Sequence, residues 1–243
     1  MRIAVLSDVH GNLEALREVL ADIDRSRTDA VLCLGDNIGY GPEPEAVVES
    51  IRERGIPCVM GNHELGLVDE TYLDWFNTSA RLSLLLTQGL ISSDTLAYMR
   101  RLQPSLSFQA CLGVHGCPPE SVTTYLFQVS DADLRMRFRN LEESICFVGH
   151  THDLELIRFG GTEIVRASLD RGKIPLNQDP GLKYIVNVGS VGQPRDGNNN
   201  AKYVIWDTAL GQLEVKFIPY DIAKTAKKIL HLGFPEFNAR RLW

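Results

Sequence analysis

Five short apolar runs in the first 150 residues end the same way, in a carboxylate, an amide or an imidazole. RIAVL (2–6) leads to Asp8 and His10, AVLCLG (30–35) to Asp36, and IPCVMG (56–61) to Asn62 and His63; CLGV (111–114) leads to His115 and ICFVG (145–149) to His150 and His152. Runs of this length suit buried strands. The first three alternate with helical patterns. Leu13, Leu16, Leu20 and Ile23 recur at helical spacing behind Asn12, and Glu45–Arg54 follows Pro42 and Pro44 and stops at Gly55. That rhythm predicts parallel strands joined by crossover helices. Ligand sites of open α/β sheets lie beyond the carboxyl ends of the strands, so the polar residues that terminate these runs converge on one crevice.

Further along, 77–103 is helix-rich, with LSLLL (82–86) and a stretch around Leu96, Met99 and Leu102. SFQACLGVH (107–115) and ICFVGH (145–150) each read as one strand, with a helix near 131–141 between them. Beyond 154 hairpins follow. LELIRF and TEIVRA flank Gly160-Gly161, KYVIWD and QLEVKFI flank Gly211, and a last amphipathic helix (Ile222, Ala226, Ile229, Leu230) ends at Gly233. With no linker or repeat, the expectation is two stacked sheets flanked by helices in one domain, 1–243.

Composition narrows the function. With 25 Lys and Arg against 31 Asp and Glu, a net charge of −6, a nucleic-acid-coating surface is not expected. No stretch reaches the ~20 apolar residues of a membrane span. Five cysteines without a C-x-x-C pair point to a reducing, cytoplasmic setting, and those in apolar runs (Cys33, Cys58, Cys146) read as buried thiols. The crevice offers two carboxylates, one amide oxygen, up to five imidazoles and no committed thiolate, a donor set for Mn, Fe, Zn, Co or Ni. Asp8 and His10, at i, i+2 on an extended segment, can present both side chains to one ion; His150 and His152 have the same spacing, so each can serve a different ion of a close pair, with Asp36 bridging. Two ions ~3.5–4 Å apart suit in-line displacement at phosphorus and supply a hydroxide near neutral pH. Their four positive charges also reconcile an acidic chain with an anionic substrate.

In order, D-V-H (8–10), G-D-N (35–37), G-N-H-E (61–64), V-H-G (114–116) and G-H-T-H (149–152) resemble the calcineurin-like metallophosphoesterase superfamily, and NVGSVGQPRDG (187–197) is similar to its bacterial phosphodiesterase branch. The resemblance implies a four-layer α/β/β/α sandwich. It implies one divalent ion on Asp8, His10, Asp36 and His152, a second on Asp36, Asn62, His115 and His150, and His63 as the general acid. The implied reaction is attack of a bridging hydroxide on a small or nucleotide-derived phosphodiester. A diadenosine-tetraphosphate-type pyrophosphohydrolase and a phosphomonoesterase or protein phosphatase are the alternatives. A binding scaffold is disfavoured by the complete set with His63. The second motif runs GDNIGYGPEP, with Tyr40 where the superfamily's protein phosphatases carry D-R-G, which weighs against a phosphoprotein substrate.

Other residues keep two readings. Asn12 caps its helix or touches the phosphate, and Arg195 pairs with a carboxylate or clamps the substrate. Tyr125 lines the mouth or is an ordinary aromatic, and Cys117 is a wall residue. Glu64, where Asp is often seen, supports the ligands from behind, and His231 is a surface or dimer-contact residue. No membrane partner is expected, and self-association is left open.

Overall fold

The computed structural model describes residues 1–243. β1 (Arg2–Leu6), α1 (Leu13–Arg25) and β2 (Ala30–Cys33) form the first crossover unit, with Ile3 opposite Ala30 and Leu6 opposite Cys33 in parallel register. The Asn12 side chain caps α1 by accepting from Ala15 N–H at 3.1 Å. Then come α2 (Pro44–Glu53), α3 (Asn62–Val68), a 3-10 turn (Glu70–Trp75), α4 (Thr78–Gln88) and α5 (Ser93–Met99). β3 (Ser105–Phe108), β4 (Cys111–Val114), α6 (Asp131–Asn140) and β5 (Ile145–Val148) follow. The rest is mainly strand: β6 (Leu154–Phe159), β7 (Ile164–Ser168), β8 (Gly172–Pro175), β9 (Lys183–Val188), β10 (Ala201–Asp207) and β11 (Gln212–Ile218), closed by α7 (Ile222–His231) and α8 (Glu236–Arg240).

These strands make two mixed sheets, ordered β2-β1-β10-β11-β8 and β3-β4-β5-β9-β6-β7. The period-2 alternation of each strand assigns its side chains to layers. Ile3 and Val5 of β1 point between the sheets and pack with Phe147, Val186 and Val188 of the second sheet. Ala4 and Leu6 point outward, under Leu16, Val19 and Leu20 of α1. On the far side Leu134 and Phe138 of α6 cover Val114, Cys146 and Ile185. The layers therefore run helix, sheet, sheet, helix. No helix is long and apolar enough to cross a membrane.

Three sequence expectations are corrected. IPCVM (56–60) is not a full strand: it touches its neighbours only through the bridges Cys33–Cys58 and Val59–Gln103. Pro57 lacks the N–H that a continuous ladder requires there. SFQACLGVH is a hairpin, because Gln109 and Ala110 take φ of 49° and 66° and turn β3 back onto β4. Such a turn favours Gly and Asn, and neither is present to mark it. β9, noticed in the sequence only for its tail NVG, lies at the centre of the second sheet, parallel to β5 and antiparallel to β6.

The parallel pairs β1–β2 and β4–β5–β9 aim their carboxyl ends at one edge of the sandwich. Phe147 stands three residues before His150 and is fully buried between the sheets. Phe147→Ala is expected to cost about 3–5 kcal/mol of stability, read as a lower urea midpoint with an unchanged m-value.

Candidate metal centre

The loops at that edge are strained and laced together. Asp8, His10, Asp36, His150 and His152 all sit at positive φ, between 49° and 69°. Each costs of order 1 kcal/mol or more and persists only where the surroundings hold it. Backbone bonds do the holding: Asp8 N–H to Gly35 O at 3.0 Å, His10 N–H to Asp36 O at 2.8 Å, and Gly192 N–H to Asp8 O at 2.9 Å. The loop 187–197 acts as a buttress. Asn187 Nδ2 donates to Gly149 O at 2.9 Å and Thr151 Oγ1 at 2.7 Å, and Ser190 Oγ donates to Asp8 O at 2.8 Å.

Four imidazoles share one arrangement. His10 Nδ1 meets Ile38 O at 2.9 Å, His115 Nδ1 meets Leu34 O at 2.8 Å, His152 Nδ1 meets Gln193 O at 2.6 Å, and His150 Nε2 meets Thr123 O at 3.1 Å. A carbonyl only accepts, so each of these nitrogens carries the proton. The opposite nitrogen points inward. His10 Nε2 and His152 Nε2 face each other at 3.0 Å, and His115 Nε2 and His150 Nδ1 at 3.2 Å. At such distances each pair needs a proton or a metal cation between its nitrogens. Asp8 Oδ1, 3.2 Å from His152 Nε2, is buried and has no hydrogen-bond partner. Asp36 Oδ2 lies between the clusters, 3.7 Å from His10 Nε2 and 3.3 Å from His115 Nε2, and Asn62 Oδ1 is 3.1 Å from His115 Nε2. The structure thus brings all seven expected ligand residues together. Their donors group as Asp8–His10–His152 and Asp36–His115–His150, with His10–Asp36–His63 as a third cluster. This donor set fits two divalent ions, with the carbonyls orienting each ring from behind.

Burial opposes the charge on both carboxylates, yet the neighbouring imidazoles win: His152 for Asp8, His115 and His63 for Asp36, each carboxyl held well below its usual range. Burial likewise works against a charged His115, but Asp36 beside it prevails and holds that ring up at about 10. His63 goes the other way. Burial pushes it down to about 4, with Asp36 only partly compensating. Its backbone N–H donates to Asp36 Oδ1 at 2.8 Å, its Nε2 is 4.0 Å from Asp36 Oδ2, and its Nδ1 has no partner. A Cβ at residue 39 would lie 2.3 Å from that Nδ1, which is why glycine stands there.

Glu64 does more than its place behind the ligands suggested. Its Oε2 accepts from Asp36 N–H at 2.8 Å and Gly61 N–H at 3.0 Å, and Oε1 accepts from Asn37 N–H at 2.7 Å. One buried carboxylate staples the loop carrying Asp36 to the start of α3, which carries Asn62 and His63. The sequence signal was an acidic residue completing G-N-H-E, but spacing alone does not reveal its three donors. Burial, and then the charge of Asp36, raise Glu64 to about 7.

A cleft of about 350 Å³ opens over the cluster, lined by Tyr40, His63, Tyr125, His150, His152 and Arg195 among others. Tyr125 stacks on His150 at 3.7 Å. Arg195 enters the cleft with its Nε unpartnered and Nη2 on Gln193 Oε1 at 3.1 Å. Asn12 does not line it: Oδ1 accepts from Ala15 N–H and Thr225 Oγ1, and Nδ2 donates to Gly192 O, so the structure shows the cap. Cys117 is buried under α6, His231 is exposed, and all five cysteines are free, with Cys58 half-buried rather than buried.

A family description, the calcineurin-like phosphoesterase superfamily domain, matches residues 1–211, the span holding every residue of this cluster. The chain belongs to that superfamily. It is 37% identical to an uncharacterized protein of Methanocaldococcus jannaschii over 99% of this chain and 97% of that one. The crystal structure of a metallophosphoesterase from Sphaerobacter thermophilus superposes with a TM-score of 0.83 at 32% identity, covering 100% of this chain and 98% of the other. A hypothetical protein from Pyrococcus horikoshii shares the fold at TM-score 0.80 and 18% identity, covering 100% and 97% of the two chains. As a calcineurin-like phosphoesterase, the chain carries candidate dinuclear metal-binding residues in the Asp and His set above.

Two expectations follow. At neutral pH the bare site holds a proton on His115 that an incoming ion must displace. The apparent Mn²⁺ affinity should therefore rise about tenfold per pH unit from pH 6.5 to 8.5 through this group, measured by calorimetry in buffers of different ionisation heat. Glu64→Ala strands three buried N–H groups, at about 1–3 kcal/mol each; urea denaturation should show the loss and elemental analysis a reduced metal content.

Proposed function

We propose that this chain works as a single domain, 1–243, and is a two-metal phosphodiesterase acting on small or nucleotide-derived phosphodiesters. Asp8, His10, Asp36 and His152 would hold one ion, and Asp36, Asn62, His115 and His150 the other. When bound, two divalent ions, Mn²⁺ among the candidates, supply Lewis acidity and positive charge at the phosphoryl group. The observation that carries the reading is the set of four carbonyl-locked imidazoles converging on two buried carboxylates, with His63 beside them and tied through its backbone rather than its ring.

The chain's own groups have separable tasks. The carbonyl partners aim the imidazoles, so little reorganisation accompanies the reaction. His63 is placed to hold a proton at Nε2, on the Asp36 side, and pass it to the departing ester oxygen. In the bare site burial keeps this ring neutral. An anionic phosphoester against it favours the protonated form and moves its proton affinity back toward the working pH. Arg195 offers a guanidinium to a non-bridging oxygen. It is the cleft's single Lys or Arg side chain, and Tyr40 stands where an arginine would add a second. A phosphodiester carries one negative charge and a monoester up to two, so this economy of cations supports the diester.

The test is a rate comparison with Mn²⁺ on bis(p-nitrophenyl) phosphate, p-nitrophenyl phosphate and diadenosine tetraphosphate at equal concentration. The diester should show the highest kcat/KM, and a faster monoester or tetraphosphate would replace the reading with that substrate. His63→Ala should lose about 10²–10⁴-fold in kcat while elemental analysis still finds two metals per chain. Full turnover in that variant would remove the acid assignment.

A further inference from the structure

The cleft has a second feature that phosphoryl chemistry does not use. From the ligand cluster it runs to the 3-10 turn Glu70–Trp75 and the start of α4. At that wall Trp75 is 71% exposed, and the half-buried Tyr72 is its only ring neighbour, with centroids 5.2 Å apart at 52°. Leaving the largest side chain in water forgoes the apolar burial that usually places a tryptophan. The turn is nonetheless held in shape: Asp69 Oδ1 accepts from Thr71 N–H at 3.0 Å and Thr71 Oγ1 at 2.7 Å. The next residue, Phe76, packs edge-on against His63 at 5.0 Å. The exposed indole is thus one residue from a ring that touches the proposed acid. Tyr125, also in the lining, already has stacked ring partners, His150 at 3.7 Å and Phe127 at 4.9 Å.

The charge of the cleft restricts what it can hold. Outside the ligand cluster Arg195 is its one charged side chain, and Asn77, Thr123, Thr124 and Gln128 are neutral. Beyond the phosphoryl group at the ligand cluster, a polyphosphate chain would find only Arg195 as a cationic partner. At about 350 Å³ the cleft sits at the small end of ligand sites. One phosphoryl group, plus an uncharged planar group with hydrogen-bonding edges, matches these constraints.

We propose that Trp75, backed by Tyr72, is the stacking platform for the base of a nucleoside phosphodiester whose phosphorus sits at the Asp36 cluster. The inference rests on the phosphodiesterase reading above and adds the class of substrate. Aromatic stacking on a base is worth about 1–3 kcal/mol, or roughly five- to 150-fold in kcat/KM. It tolerates any base, because every base has a π face.

The experiment compares the Mn²⁺-loaded protein on adenosine 5′-(methyl phosphate) and on its glycerol counterpart, a diester of the same charge without a ring. In the wild type kcat/KM should favour the nucleoside diester by about tenfold or more. Trp75→Ala should lower that ratio about tenfold, and Trp75→Phe should keep most of it. A second readout is independent of turnover. In a Trp243→Phe background Trp75 is the only exposed indole, because Trp206 is buried, so AMP should quench its fluorescence saturably. Equal ratios in the wild type and Trp75→Ala, or no quenching, would overturn the platform even if diesters are hydrolysed. Saturable quenching with no hydrolysis of either diester would support the platform and overturn the phosphodiesterase reading.

Discussion

Two buried carboxylates organise everything around them, and each uses its two oxygens differently. Asp36 accepts the His63 backbone N–H on Oδ1 and presents Oδ2 to His10 and His115. Asp8 accepts the His150 backbone N–H on Oδ2 and presents Oδ1 to His152. One oxygen of each pins the backbone of another motif, and the other faces the centre. This explains the glycines that open G-N-H and G-H-T-H. A Cβ at residue 61 would lie 2.2 Å from Asp36 Oδ1, and one at residue 149 would lie 2.4 Å from Asp8 Oδ2. No side chain can stand where a carboxylate must reach the following backbone.

That arrangement places heavy demands on the backbone, and the sandwich meets them. Five ligand candidates at positive φ persist because the strands behind them are buried on both faces by the inter-sheet core and the helix layers. Strain at the strand ends and close packing along the strands are two sides of one device. The first orients the side chains, and the second keeps the loops from relaxing into commoner conformations.

This division explains what the sequence revealed. Apolar runs with polar terminators are local signals, and parallel pairing carries their ends to a common edge, so the convergence of Asp8, His10, Asp36, Asn62, His63, His115, His150 and His152 is legible in the sequence. What stayed hidden depends on partners far along the chain. β9 occupies the centre of its sheet because β5 and β6 accept it, not because KYIVNV is distinctive. The Gln109-Ala110 turn uses residues with no turn preference. Glu64 is a motif letter until its three backbone donors, drawn from 36, 37 and 61, are seen to converge. Asn12 was open between two roles because capping and phosphate contact call for the same amide, and only its three partners separate them.

The same network also bears on how the bare protein tolerates its own site. Two ionised carboxylates in a dry interior are costly unless compensated. Here the compensation is already internal, since Asp36 keeps a proton on His115 across the neutral range. That proton places one positive charge beside the two carboxylates. His115 Nδ1 is fixed on Leu34 O, which holds the ring's inward nitrogen in place. Asp8 Oδ1 has no hydrogen-bond partner in the bare site and faces only the ring of His152 and, at 3.7 Å, that of His10. The two carboxylates are thus partnered differently: Asp36 lies against the rings of His10, His63 and His115, Asp8 against those of His10 and His152.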